Sequence, residues 1–107
     1  MIEAKLEAVR GKAKELGELR GTKEVADERL KIVYAILYDD VPSVYKTVPE
    51  RDAWVKRQPK YEKAVTAKEN AYARWTEAEA YMKCLFAEVD VWRSQEATGR
   101  MIDRAHT

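Results

Sequence analysis

From Lys60 to Thr98 the chain carries neither Pro nor Gly, and apolar side chains recur in steps of three and four. The row runs Tyr61, Ala64, Ala71, Trp75, Ala78, Met82, Leu85, Val89 and Trp92, with Lys68 its one polar interruption. That spacing puts the row on one side of an α-helix, and Val65, Tyr72 and Phe86 form a second row that widens it into a face. Strict alternation sustained this far predicts a helix over 60–98 that packs lengthwise on another helix at a shallow angle. At ~1.5 Å per residue it is on the order of 55–60 Å long. It cannot fold back on itself, so its face needs a partner.

The first part of the chain supplies that partner. Ile2, Leu6, Val9, Ala13 and Leu16 keep the same rhythm, but Gly11, Gly17 and Gly21 lie among them. Each glycine costs a helix about 1 kcal/mol relative to Ala. The register resumes as Ala26, Leu30, Val33 and Leu37. The pattern predicts a frayed or broken helix through 1–21 and a firmer one over 22–38. The run "IVYAILY", Ile32–Tyr38, also suits a buried strand; its continuity with the helical pattern and the lack of a pairing strand favour helix.

Asp39, Asp40 and Pro42 end that helix and open a linker over 39–47. Thr47-Val48-Pro49-Glu50 has the form of a capping box, with Thr47 accepting from the third helical N–H and Glu50 reaching back to the Thr47 N–H. It starts a short helix over 48–58 that carries Trp54 and stops before Pro59. Gly99 is placed to cap the long helix, which leaves 99–107 as a tail with Arg100 and Arg104 near the negative end of the helix dipole. The expected architecture is all-α and a single domain: a long antiparallel helical hairpin with a short helical elbow, assembling through its apolar face. Tyr72, Trp75, Met82, Leu85, Phe86, Val89 and Trp92, with Tyr81, occupy more of the circumference than one facing helix covers. Such a surplus points to a homo-oligomer, or else to an elbow and N-terminal segment folded over it as a third layer.

Composition narrows the chemistry. Charged residues make up 36%, yet twenty basic and nineteen acidic side chains leave a net charge of +1, so any nucleic-acid surface must be local. Cys84 is alone, which excludes an internal disulfide and fits a reducing compartment. Neither a signal peptide nor a membrane span is evident, so a soluble cytoplasmic protein without membrane partners is expected. His106 is the one histidine and sits in the tail, where solvation is the simplest expectation. Phosphate-binding loops and Cys pairs are missing, and neither Asp39-Asp40 nor Glu77 with Glu79 makes a carboxylate dyad. These features predict a non-enzymatic protein with no cofactor, no metal and no small-molecule substrate.

Two groups of cations are candidates for binding. Lys56, Arg57, Lys60 and Lys63 surround the elbow and interleave with Trp54 and Tyr61, opposed only by Glu62. Single-stranded nucleic acid is held by such means, with cations replacing phosphate counterions and rings stacking on unpaired bases. The same residues also suit an ordinary solvated elbow whose aromatics close the end of the hairpin. Arg93, Arg100 and Arg104 form the second group.

The stretches "YKTVPERDAWV" and "FAEVDVWRSQEATGR" resemble parts of small helical phage proteins of the UvsY-type recombination mediator family, over residues 44–104. The match lies in the capped elbow and in Ser94 and Arg100, with Arg93 before and Ile102 after. The resemblance implies an oligomeric helical hairpin in a bacterial host cell that helps a recombinase or annealing protein onto single-stranded DNA coated by a single-strand binding protein. The chain departs from the pattern at Gly99, which would stop the helix before Arg100, and in its thin Lys/Arg density. Two other functions fit the residues: a protein-binding adaptor or inhibitor of a host enzyme without nucleic-acid binding, and a virion structural component.

Overall fold

The computed structural model describes residues 2–106, apart from the side chain of His106, so the expectation of a solvated His106 lies outside the described residues. The chain is a long antiparallel helical hairpin with a helical elbow: α1 (Ile2–Asp39), α2 (Val48–Lys56) and α3 (Pro59–His106). Ile32–Tyr38 is helical, and no strand occurs among the described residues. The fold divides into two compact units, one of residues 1–17 with 76–107 and one of residues 18–75.

The expected break in α1 is not there. The helix passes through Gly11, Gly17 and Gly21, none of which has positive φ. The reason lies in the inward row, which is not the one that apolar residues alone trace. Ile2, Lys5, Val9, Lys12, Leu16, Leu19, Lys23, Ala26, Leu30, Val33 and Leu37 are all half-buried or buried, whereas Leu6 and Ala13 are exposed. Once Lys5, Lys12 and Lys23 are admitted, the 3-4 alternation never restarts. Continuous packing along this row outweighs the helix-propensity cost of the glycines. Lysines fit because their methylene stems cover apolar surface while the ammonium stays wet.

In the unit of residues 18–75 the core is Leu37, Val41 and the fully buried Val55, packed by Val33, Tyr34, Tyr38, Tyr45, Trp54 and Tyr61. Thr47 caps α2 by accepting from the Glu50 N–H at 3.4 Å. The Glu50 carboxylate accepts instead from the Lys46 N–H, at 3.3 Å, one residue earlier than the capping box requires. Arg51 of α2 then donates to the Tyr38 carbonyl at 3.4 Å and the Tyr45 carbonyl at 3.2 Å, with its guanidinium 4.9 Å from the Tyr38 ring. The last turn of α1 has no basic residue of its own, so Arg51 supplies from the elbow the cation that its negative end favours. The Gln58 carbonyl accepts from the Tyr61 and Glu62 N–H groups, which starts α3 with Pro59 where no amide proton is needed.

Along α3, Ala64, Ala71, Ala78, Met82, Leu85 and Val89 are buried and Tyr61, Lys68 and Trp75 half-buried, as the apolar row predicts. Of the second row, Val65 is half-buried, whereas Tyr72 is 37% and Phe86 51% exposed, so the row widens the face only near the start of α3. Alanines at 64, 71 and 78, seven residues apart, keep the inward row itself small. In the unit of residues 1–17 and 76–107, the seam is tied by Lys5 to Glu88 at 3.2 Å and by Lys12, 4.6 Å from the Tyr81 ring centre. Trp92, expected to close the seam, is 37% exposed, and every residue from Asp90 to Ala105 is exposed. Within its own unit the elbow packs on Leu37, Tyr34 and Tyr61.

Gly99 does not cap α3. Its φ is not positive, and the helix continues to His106. What reads as a tail is helix.

Two stability measurements test this architecture. A Cβ at Gly11, Gly17 or Gly99 meets nothing, so replacing each by Ala should raise unfolding free energy by up to about 1 kcal/mol in denaturant titrations. A loss at Gly11 or Gly17 would contradict the unbroken helix. Leu85→Ala should cost about 2–5 kcal/mol, whereas its exposed neighbour Phe86→Ala should change stability by about 0.5 kcal/mol or less.

Candidate functional site

The structure divides the proposed nucleic-acid contacts between the two units. Lys56 and Arg57 end α2, and Lys60 and Lys63 lie on the first turns of α3, all four exposed. Lys56 is engaged, with its ammonium 3.0 Å from Asp52. Trp54 and Tyr61 belong to the packing around Leu37, Val41 and Val55, and Tyr61 meets Tyr34 edge-on at 6.2 Å. Both rings are half-buried in the elbow. The groove beside them is lined by Lys56, Tyr61, Glu62, Val65, Thr66 and Glu69, two carboxylates against one cation.

Arg93, Arg100 and Arg104 come together more closely than the sequence suggests. Because α3 is helical through Gly99, their spacing of seven and four puts them in one stripe on its exposed end. The guanidiniums flank the direction of the seam, which there carries Glu96 and Asp103. On another side of the same helix runs a row that sequence reading overlooked: Ala80, Cys84, Ala87, Val91, Ser94, Thr98, Met101 and Ala105. All eight are exposed and none is charged. Charged residues make up 36% of the chain, so a strict 3-4 row of this length without one stands out on the exposed surface of α3. The signal was in the sequence, masked by small residues that do not register as hydrophobic.

A second feature was missed altogether. Tyr34 donates to Asp52 at 2.8 Å while Lys56 pairs with the same carboxylate; Tyr72 donates to Asp27 at 2.7 Å while Lys68 pairs with it at 3.1 Å. The two Tyr-Asp-Lys triads tie α1 to α2 and α1 to α3. Asp52 with Lys56, and Lys68 with Tyr72, sit at helical i,i+4 spacing and are visible in the sequence. The partner across the hairpin, as many as 45 residues away, is not. Lys23 lies over the Tyr72 and Trp75 rings at 5.0 and 4.0 Å, which holds a second cation beside the Asp27 triad.

These contacts shift the titrations in consistent directions. The Tyr72 hydroxyl, then Lys68, holds the Asp27 carboxyl below the ordinary aspartate range; Tyr34, then Lys56, does the same for Asp52. The hydrogen bonds to these carboxylates raise Tyr34, Tyr72, Lys56 and Lys68 above their usual values.

No family model, curated protein or solved structure matches the chain. No helix among the described residues is long and apolar enough to cross a membrane.

The pKa directions set a pH window. A lowered aspartate stabilises the fold above its unfolded pKa, and that stability is lost as pH falls through the folded value. Raised tyrosines and lysines stabilise below their unfolded values and lose that contribution as pH rises through the folded ones. The triads therefore contribute a plateau between roughly pH 5 and 9. Thermal melts at pH 7 and pH 3 should show a smaller acid loss in Asp27→Asn/Asp52→Asn than in the wild type, and high salt should reduce the difference. Parallel losses would remove the triads as its source.

Proposed function

We propose that this is a non-enzymatic accessory protein of phage DNA recombination or replication. It self-associates in the cytoplasm of the bacterial host and binds single-stranded DNA, in company with a recombinase or a single-strand binding protein. The observation that carries this reading is the exposed end of α3, where Arg93, Arg100 and Arg104 form one stripe and an uncharged row from Ala80 to Ala105 forms another. A basic stripe suits a phosphate backbone, and an uncharged row suits another helix. Continuation of the helix through Gly99 supports the reading further, because the departure at that residue from the UvsY-type pattern does not interrupt the basic end.

Each subunit offers few cations, so binding by one copy is weak. Self-association raises the effective concentration of these sites along a strand and supplies the avidity. Arg57, Lys60 and Lys63 add exposed charge at the elbow, beside the half-buried Trp54 and Tyr61.

A second reading is an adaptor that docks on a protein without touching nucleic acid. The near-neutral charge and the commitment of the elbow aromatics to the core favour it.

Fluorescence anisotropy with a single-stranded oligonucleotide at several salt concentrations separates the two. The wild type should bind with a negative log K against log salt slope. Arg93→Ala/Arg100→Ala should weaken binding at least tenfold and reduce the slope by about 0.7 for each phosphate that is no longer neutralised. The α-helical circular dichroism should be unchanged. An unaltered slope would remove these arginines as phosphate ligands, and a wild type with no affinity at moderate salt would leave the adaptor.

A further inference from the structure

The face of α1 turned away from the seam carries a small pattern of its own. Val25, Ile32 and Ile36 are 61%, 57% and 56% exposed, and a shallow groove along the helix is lined by Glu24, Val25, Glu28, Arg29, Ile32 and Val33. Val25, Glu28, Arg29 and Ile32 stand at i, i+3, i+4 and i+7, the four corners of a diamond on a helix surface. Three β-branched side chains in one exposed row on a helix of mixed charge are not needed for the hairpin, whose packing lies on the other side.

We infer that a second copy of this chain docks on this face through a two-fold axis at the centre of the diamond. A two-fold contact requires a patch complementary to itself, and this one is. An axis normal to α1 between Glu28 and Arg29 brings each residue i opposite residue 57 − i of the other copy, since 28 and 29 add to 57. Val25 then meets the second copy's Ile32, and Glu28 meets its Arg29. Because the operation is two-fold, each pairing occurs twice.

The same rule sets Ile36 opposite Gly21, where a Cβ would meet nothing and a large side chain finds open space. Beyond these residues Glu18 would face Asp39, which limits the interface to 21–36. Glu28 is held in the single copy by Lys31, at 3.3 Å and with both side chains largely exposed; a solvated pair of this kind is readily exchanged for a guanidinium across the axis. The inference deepens the self-association proposed above by naming one surface and its symmetry, and it is independent of DNA binding.

Charge reversal tests the register without disturbing the fold, because Glu28 and Arg29 are exposed. Molar mass is measured by light scattering over a concentration series, without nucleic acid, with circular dichroism and thermal melts as controls for folding. Glu28→Arg places two guanidiniums opposite two others, and Arg29→Glu does the same with carboxylates. Each single variant should weaken association at least tenfold and halve the mass of the assembly. Glu28→Arg/Arg29→Glu restores opposite charges across the axis and should return the mass to that of the wild type. Ile32→Ser should weaken association to a similar extent.

Folded single variants that associate like the wild type would overturn the inference, as would a folded double variant that stays dissociated or a wild type that is monomeric throughout. A wild type that pairs through this face yet fails to bind single strands would overturn the proposed function alone.

Discussion

Two helices side by side can bury one stripe of each, and the chain is organised by that limit. The packing of α1 on α3 relies on positions at 3-4 spacing, narrowed by alanines at 64, 71 and 78, so little apolar volume is available to stabilise it. Large side chains next to the stripe lie at the surface, and lysines lie over some rings: Lys12 over Tyr81, and Lys23 over Tyr72 and over Trp75 of the stripe itself. An ammonium over a ring contributes about 0.5–1 kcal/mol where water is near, and its stem shields apolar area besides. The lysines within the apolar row are thus part of the packing.

Directional bonds add to this packing and fix its register. The Tyr34-Asp52-Lys56 and Tyr72-Asp27-Lys68 triads each fix one tyrosine hydroxyl to one carboxylate, and sliding would break both hydrogen bonds at once. Arg51 adds a third tie by holding the carbonyls of Tyr38 and Tyr45 while its guanidinium lies against the Tyr38 ring. It adds to the Asp40 and Val41 N–H groups, which donate to the Leu37 and Tyr38 carbonyls at the end of α1. The fully buried residue, Val55, lies beside these ties, where three elements meet rather than two.

The same limit shapes the surfaces. A hairpin that buries one stripe per helix leaves the rest of both helices for other partners, and three rows are distinct there. Arginines run along the end of α3, an uncharged row of mostly small residues runs beside them, and a β-branched row with one Glu-Arg pair runs along the outer face of α1. All three rows lie open on the surface of their helices.

The sequence by itself determined the helices, the elbow between Pro42 and Pro59, and the buried row of α3, because these follow from local spacing and from residues that start or stop a helix. It misjudged Gly11, Gly17, Gly21 and Gly99, where a local propensity of about 1 kcal/mol each is set against a helix anchored along a row of packed side chains. It also left Lys5, Lys12 and Lys23 on the wrong side of the hydrophobic pattern, since a lysine's apolar stem counts only where the neighbouring helix brings a surface for it to cover. Of the candidate site, the identity of the cations was legible, but not their state. Only the tertiary structure decided that Tyr34 shares Asp52 with Lys56, that Trp54 and Tyr61 pack against the core, and that Arg93, Arg100 and Arg104 share one helical stripe. Each depends on what a distant segment brings alongside or on whether a helix continues, and spacing along the chain carries neither.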